Sequence, residues 1–396
     1  MDKQPADRFF LYGYYGQGNL GDDLLMLSVI MGICEICPGA RFTVRNAGPI
    51  RRIDQVGAPV KLTNIDSILA DQSKGKVRRT LETLLVYRLH FRSCAWFVFG
   101  GGTLFHERKS VAPLILLALI CLLARLMGLR IAALGVGVAE LKSRLGRLAL
   151  RIIVSTSELF AVRDDLAYAE CKKAGCGSKA TLTGDLVFGL TPWLRPAIKN
   201  RTRQPEPSTR HVGLSINSWL LNETGNARKE LAVLSKAISI LTARGWSVSL
   251  LSFHGNANEA SDHGVLDLIA GSIPHDHRPL VRERSLSADA DTLADVFSSI
   301  DVHCGMRFHG HVLAAIYEKP FVGISADNKI DAICGLFGMP VLPLGRLFAE
   351  DLVEAIDSAL GTKIDAKVRD MSILNAQRNF AEFSNLVTPS YGRADA

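Results

Sequence analysis

The sequence predicts an α/β protein of two Rossmann-like domains, each a parallel sheet flanked by helices, with a helical C-terminal tail. Three observations predict it. Short apolar segments of strand type alternate with helical patterns along most of the chain. Several of those segments run directly into glycine-rich turns, as at residues 13–21 and 100–102. A proline-rich, basic and non-periodic stretch, residues 192–209, interrupts the alternation once. The chain has 396 residues, more than one core comfortably organises, which agrees with two domains. The expected division is an N-terminal domain 8–191, a linker 192–209, a C-terminal domain 210–346 and a tail 347–396. A ligand cleft is expected at the carboxyl edges of both sheets.

The first strand, residues 8–12, feeds the turn at 13–21, and Asp22 and Asp23 open the next helix. Residues 41–44 form the second strand, and the mixed, basic stretch 50–80 reads as a solvated face or loop. Strands at 96–99, 131–134, 159–162 and 181–186 follow, the third of these running into Arg163. Between them lies an uninterrupted apolar run, residues 111–124, shorter than the ~20 residues a membrane span needs. It reads as a buried helix, with a helix seated on a bilayer surface as the alternative. Past the linker, strands at 211–216, 247–253, 302–304 and 321–324 alternate with helices at 229–244, 262–270 and 291–300. The tail is expected to be helical at 347–360 and 370–386.

Composition is that of a globular protein: 48% apolar, 21% charged and 7% aromatic. The net charge of +7 favours acidic substrates or an anionic membrane surface, and no basic-aromatic motif supports nucleic acid. The start of the sequence has no apolar signal region and the eight cysteines lack ribbon or finger spacing, so free thiols in a cytoplasmic protein are expected.

Gly16, Gly18 and Gly21 match G-x-G-x-x-G between a strand and a helix. Asp22 and Asp23 in the first helical turn would repel a pyrophosphate, and the next strand ends without an acidic residue for a ribose hydroxyl. Arg45 there suits a 2′-phosphate, so a dinucleotide stays open beside the preferred reading, a backbone approach to another ligand. Gly100, Gly101 and Gly102 form a second such turn. Arg163 with Asp164, and Asp185 after Gly184, stand at later strand ends of the same sheet. Arg307 and His309 follow the strand 302–304 at a helix start, a corner suited to a small, doubly charged acid. The alternative is a salt-bridged arginine with a core histidine. His303, His309 and His311 lack a carboxylate at useful spacing, so no metal is expected.

At these residues the chain resembles the polysaccharide pyruvyl transferase family. The carriers are the turn 13–23, Gly100 to Phe105, Val162-Arg163-Asp164, Thr183-Gly184-Asp185, and Met306 to His309, in the family's order. Phe308 stands where leucine is usual, and Ala326 to Lys329 keeps the lysine without its usual neighbours. The resemblance implies a glycosyltransferase-B-like fold, phosphoenolpyruvate as donor substrate with no cofactor, and a polysaccharide or lipid-linked sugar as acceptor. Pyruvyl transfer to sugar hydroxyls would then form a ketal. His309, Arg307 and Asp185 are the expected catalytic residues, and Arg307, His309, Arg163 and Lys329 the expected donor contacts. Acceptor contacts are expected from Gly16, Gly18, Asn19, Asp22, Asp23, Gly101 and Gly102. Two rivals accompany this expectation: a nucleotide-sugar glycosyltransferase of the same fold, and a non-catalytic glycan-binding scaffold.

Overall fold

The computed structural model describes residues 6–46, 48, 58–65, 75–108, 110–196, 210–218, 221, 225–255 and 261–391. The chain separates into two compact units: Met1–Gln17, Asp22–Gly189 and Ser372–Ala396 form the first, Gly18–Gly21 and Leu190–Met371 the second. The middle of the first glycine turn therefore packs with the second unit, and most of the last helix with the first. The expected linker begins in a short helix, α6 below; its residues 197–209 lie outside the described residues.

The elements of the first part of the chain are β1 (Arg8–Tyr12), α1 (Leu20–Ile36), β2 (Arg41–Arg45), β3 (Val60–Thr63), α2 (Lys76–Phe91), β4 (Trp96–Gly100), β5 (Thr103–Phe105) and α3 (Ala112–Leu126). They continue as β6 (Arg130–Val138), α4 (Arg144–Thr156), β7 (Leu159–Val162), α5 (Asp165–Lys173) and β8 (Ala180–Leu182). The strands pair in the order β3-β2-β1-β4-β6-β7-β8, all parallel, with β5 on β6. β4 is buried along its whole length, as a parallel sheet covered on both faces requires. Phe10, Phe97, Phe99, Phe105 and Phe160 interlock in its core.

The second part holds α6 (Thr191–Leu194), β9 (His211–Ser215), α7 (Ala227–Ala243), β10 (Ser247–Ser252), α8 (His263–Ser272), β11 (Val281–Ser285) and α9 (Ala290–Ser299). Next come β12 (Val302–Gly305), α10 (Phe308–Ile316), β13 (Phe321–Ser325), α11 (Asn328–Phe337), β14 (Val341–Pro343), α12 (Ala349–Leu360) and α13 (Ala366–Tyr391). Its sheet order is β11-β10-β9-β12-β13-β14, again parallel throughout. Both orders are those of a doubly wound sheet.

Several expectations change. The stretch 50–80 contains β3 and the start of α2; residues 50–57 and 66–74 of it lie outside the described residues. The strand expected at 131–134 is longer: β6 runs on through Gly135 and Gly137, its pairing to β7 shifts register between Ala133 and Val136, and Gly135 takes φ +56°. The edge strand β11 hid in a polar segment because four of its five residues are exposed, so no apolar alternation marks it. The apolar run is helix α3, burying Leu114, Leu117, Ala118, Ile120, Cys121 and Ala124. Among the described residues no helix is long and apolar enough to cross a membrane. All eight cysteines are free thiols.

Candidate active site

In the second unit, β9 and β12 are the neighbouring strands between which the winding reverses, and they end level, with Ser215 opposite Gly305. The chain approaches closely here: a Cβ on Gly305 would run into the carbonyl oxygen of Ser215. Arg307 then caps α10, which points its N-terminus, favourable to anions, at this edge. The Arg307 side chain is 12% exposed, donates from Nε to the Ile216 carbonyl at 3.3 Å, and forms an ion pair with Asp262.

Asp262 is fully buried. One oxygen faces Arg307, and the other accepts from the backbone N–H of Phe253 at 3.1 Å and of His254 at 2.9 Å. A buried carboxylate needs such partners, and removing either side leaves a costly charge. Asp262 thus ties the end of β10 to the arginine. His254 is 9% exposed, and burial together with the charge of Arg307 lowers its pKa.

His309, one residue into α10, meets the glycine turn. Leu20 donates its N–H to the Phe253 carbonyl at 2.9 Å, Gly255 donates to Gly18, and Asn19 bridges His254. This brings Gly21 against the imidazole, where a Cβ would run into Nδ1 of His309. The third glycine of the fingerprint therefore makes room for a histidine. Lys329, beyond the adjacent strand β13, stands 3.5 Å from Asp327, the cap of α11.

The other two histidines are spent internally. His303 and His311 are fully buried, and burial lowers the pKa of both, that of His311 to about 4. In the neutral pair the tautomers follow from the partners. The Gly305 carbonyl, 3.0 Å from Nε2 of His311, can only accept, so that nitrogen carries the proton. Nδ1 of His311 then accepts from Nδ1 of His303 at 3.2 Å, and Nε2 of His303 accepts from the Ser215 hydroxyl at 3.0 Å. The chain ends on the carbonyl two residues before Arg307 and stiffens that loop.

The first unit repeats the arrangement with other chemistry. β1 and β4 end level, Tyr12 opposite Phe99, and the turns that follow carry left-handed Gly16, Gly101 and Gly102. Asp23 accepts from the Gly16 N–H at 2.9 Å, and burial pushes its carboxyl up to about 7. An oxygen of Asp22 lies 3.4 Å from where a side chain on Gly102 would begin. Tyr14 and His106 stack and join at 3.2 Å.

Arg163 and Asp185 are brought together, but as a buried pair. Arg163 donates to Asp185 at 3.3 Å, to Asp164 at 3.0 Å and to Thr103 at 3.2 Å. The other oxygen of Asp185 accepts from the Val187 N–H at 3.0 Å. Gly184 and Thr183 meet α13: Asn379 donates to the Gly184 carbonyl at 3.1 Å and accepts from Thr183 at 2.9 Å. This motif docks the last helix, and the geometry favours a clamp for Asp185 over a base.

The expected residues thus separate. Arg307, His309 and Lys329 lie in the second unit together with Gly18 and Asn19; Gly16, Asp22, Asp23, Gly101, Gly102, Arg163 and Asp185 lie in the first. Asp262, His254 and Ser215 were missed. A helix-opening aspartate ordinarily signals a cap, so nothing in the sequence pointed Asp262 toward Arg307.

A family model described as polysaccharide pyruvyl transferase matches residues 19–328, more than three-quarters of the chain. The chain belongs to that family. Membership makes this pyruvyl transferase relative a transferase of polysaccharide biosynthesis, with a donor and a glycan acceptor. No curated protein matches it in sequence. Solved structures that it resembles include UDP-GlcNAc 2-epimerase from Methanocaldococcus jannaschii, at TM-score 0.66 and 10% identity over 96% of this chain and 99% of that one. A putative UDP-N-acetylglucosamine 2-epimerase from Listeria monocytogenes gives 0.64 and 8% over 98% and 97%. A glycosyltransferase from Rickettsia africae gives 0.60 and 13% over 96% and 98%. At these identities the likeness shows the fold, glycosyltransferase-B-like, and nothing finer.

Proposed function

We propose that the protein transfers pyruvyl from phosphoenolpyruvate to two hydroxyls of a sugar in a polysaccharide or lipid-linked oligosaccharide, forming a pyruvate ketal in the cytoplasm. The observation that carries this is the Asp262–Arg307–His309 corner at the switch point of the second sheet, in a chain of this family. Arg307, held by Asp262, presents a fork to the carboxylate or phosphate of the donor. Lys329 and the α10 N-terminus add positive potential. His309, as imidazolium, gives a proton to the methylene carbon. C2 becomes cationic, a sugar hydroxyl adds there, phosphate leaves, and the second hydroxyl closes the ring. Asp23, with a carboxyl near 7, suits the base that accepts a hydroxyl proton, and the glycine turns leave room for a sugar ring.

A nucleotide-sugar reaction on the same fold is the second reading, the fold being one that UDP-GlcNAc 2-epimerases also have. Phosphate release from phosphoenolpyruvate, followed across a panel of free and lipid-linked glycans, separates the two. Release that requires a glycan and leaves a ketal on it supports pyruvyl transfer. Turnover of a uridine diphosphate sugar with phosphoenolpyruvate inert overturns it.

A further inference from the structure

Helix α2 is apolar on two sides. It buries Thr83, Tyr87 and Phe91 toward the sheet. Offset by two residues it exposes Val77, Leu81, Leu85 and Leu89, at 75%, 57%, 56% and 61%, a stripe of four side chains at i, i+4 spacing. The solvent face of a surface helix is ordinarily polar, and a continuous apolar stripe marks an interaction site. α3, packed against α2, also exposes leucines, Leu122 and Leu126, the latter 84% exposed.

The charges choose the occupant. Exposed Arg78, Arg88 and Arg92 flank the stripe, and the carboxylate nearest in sequence, Glu82, is already bonded to Arg78 at 3.0 Å. A second copy docking through the same stripe would set arginine against arginine. An anionic lipid surface satisfies both features, taking the leucines into the acyl boundary and the arginines among the headgroups. We propose that α2, with the exposed end of α3, docks the first unit on an anionic bilayer. The helix at 111–124, which its apolar run singled out, buries six residues in the core; the stripe of four belongs to its neighbour. The inference does not depend on the chemistry proposed above.

Co-sedimentation of the full chain with vesicles tests it, using phosphatidylcholine alone and phosphatidylcholine with phosphatidylglycerol. Binding is expected only to the anionic vesicles, weakening as salt is raised. The double variant Leu81→Glu, Leu85→Glu is expected to bind at least about tenfold more weakly with an unchanged melting curve, since both positions are exposed. Equal binding by the variant, or no binding by the native chain, overturns the proposal. So does sedimentation showing a native dimer that the same variant dissociates, which would assign the stripe to a second copy.

Discussion

The two units share a chain path and carry opposite chemistry. In each, the first strand lies beside the fourth, the two end level, and glycines let the backbone crowd the gap above them. The rim of the first unit is acidic and aromatic, with Asp22, Asp23, Tyr14 and His106. That of the second carries Arg307, His309 and Lys329, and its fully buried carboxylate, Asp262, is consumed by the arginine. The fold settles where a ligand goes; the side chains settle which ligand. In the function proposed above, an anionic donor goes to the second rim and a neutral, hydroxyl-bearing acceptor to the first.

Variants can break this contrast at graded strength. His309→Gln keeps the packing and removes the acid, so phosphate release should fall about 100- to 10,000-fold with little change in donor affinity. Gly21→Ala, which pushes a methyl into the imidazole, should cost about 100-fold by displacing it. A native rate in that variant would detach the glycine turn from His309. Asp262→Asn keeps the shape and removes the charge; the KM for phosphoenolpyruvate should rise about tenfold while kcat moves less, and thermal unfolding should come earlier.

The smallest effect concerns stability alone. His303 and His311 are neutral in the folded protein with lowered pKa, whereas their unfolded counterparts titrate near 6.5. The unfolded chain therefore binds more protons between about pH 4 and 6.5, and stability falls as pH drops through that window, by up to about 1.4 kcal/mol per unit for each histidine. Denaturant titrations at pH 7 and pH 5 measure it. In His311→Gln the slope should shrink.

Much of this was legible in the sequence. Strand β1 runs as expected, and Gly100 to Gly102 fall at the switch point because a buried parallel strand is a plain apolar run stopped by glycine. Arg307 and His309 stood out because a short strand ran straight into them. Long-range pairing stayed hidden. Asp262 meets Arg307 across 45 residues, and Asn379 meets Thr183 across 196. No local pattern announces either. Asp185 shows the reverse: a conspicuous motif whose carboxylate pairs with an internal arginine and whose glycine meets a helix, partners that no local pattern announced. The start of α2 was read within a basic solvated face or loop, residues 50–80, because its arginines masked the helical pattern.

Calorimetric titration of phosphoenolpyruvate into the native chain, Arg307→Ala and Asp23→Asn tests the division of labour most directly. The account predicts binding by the native chain and by Asp23→Asn with similar affinity, and none detectable in a folded Arg307→Ala. Undiminished binding in Arg307→Ala, or loss of binding in Asp23→Asn, would contradict it.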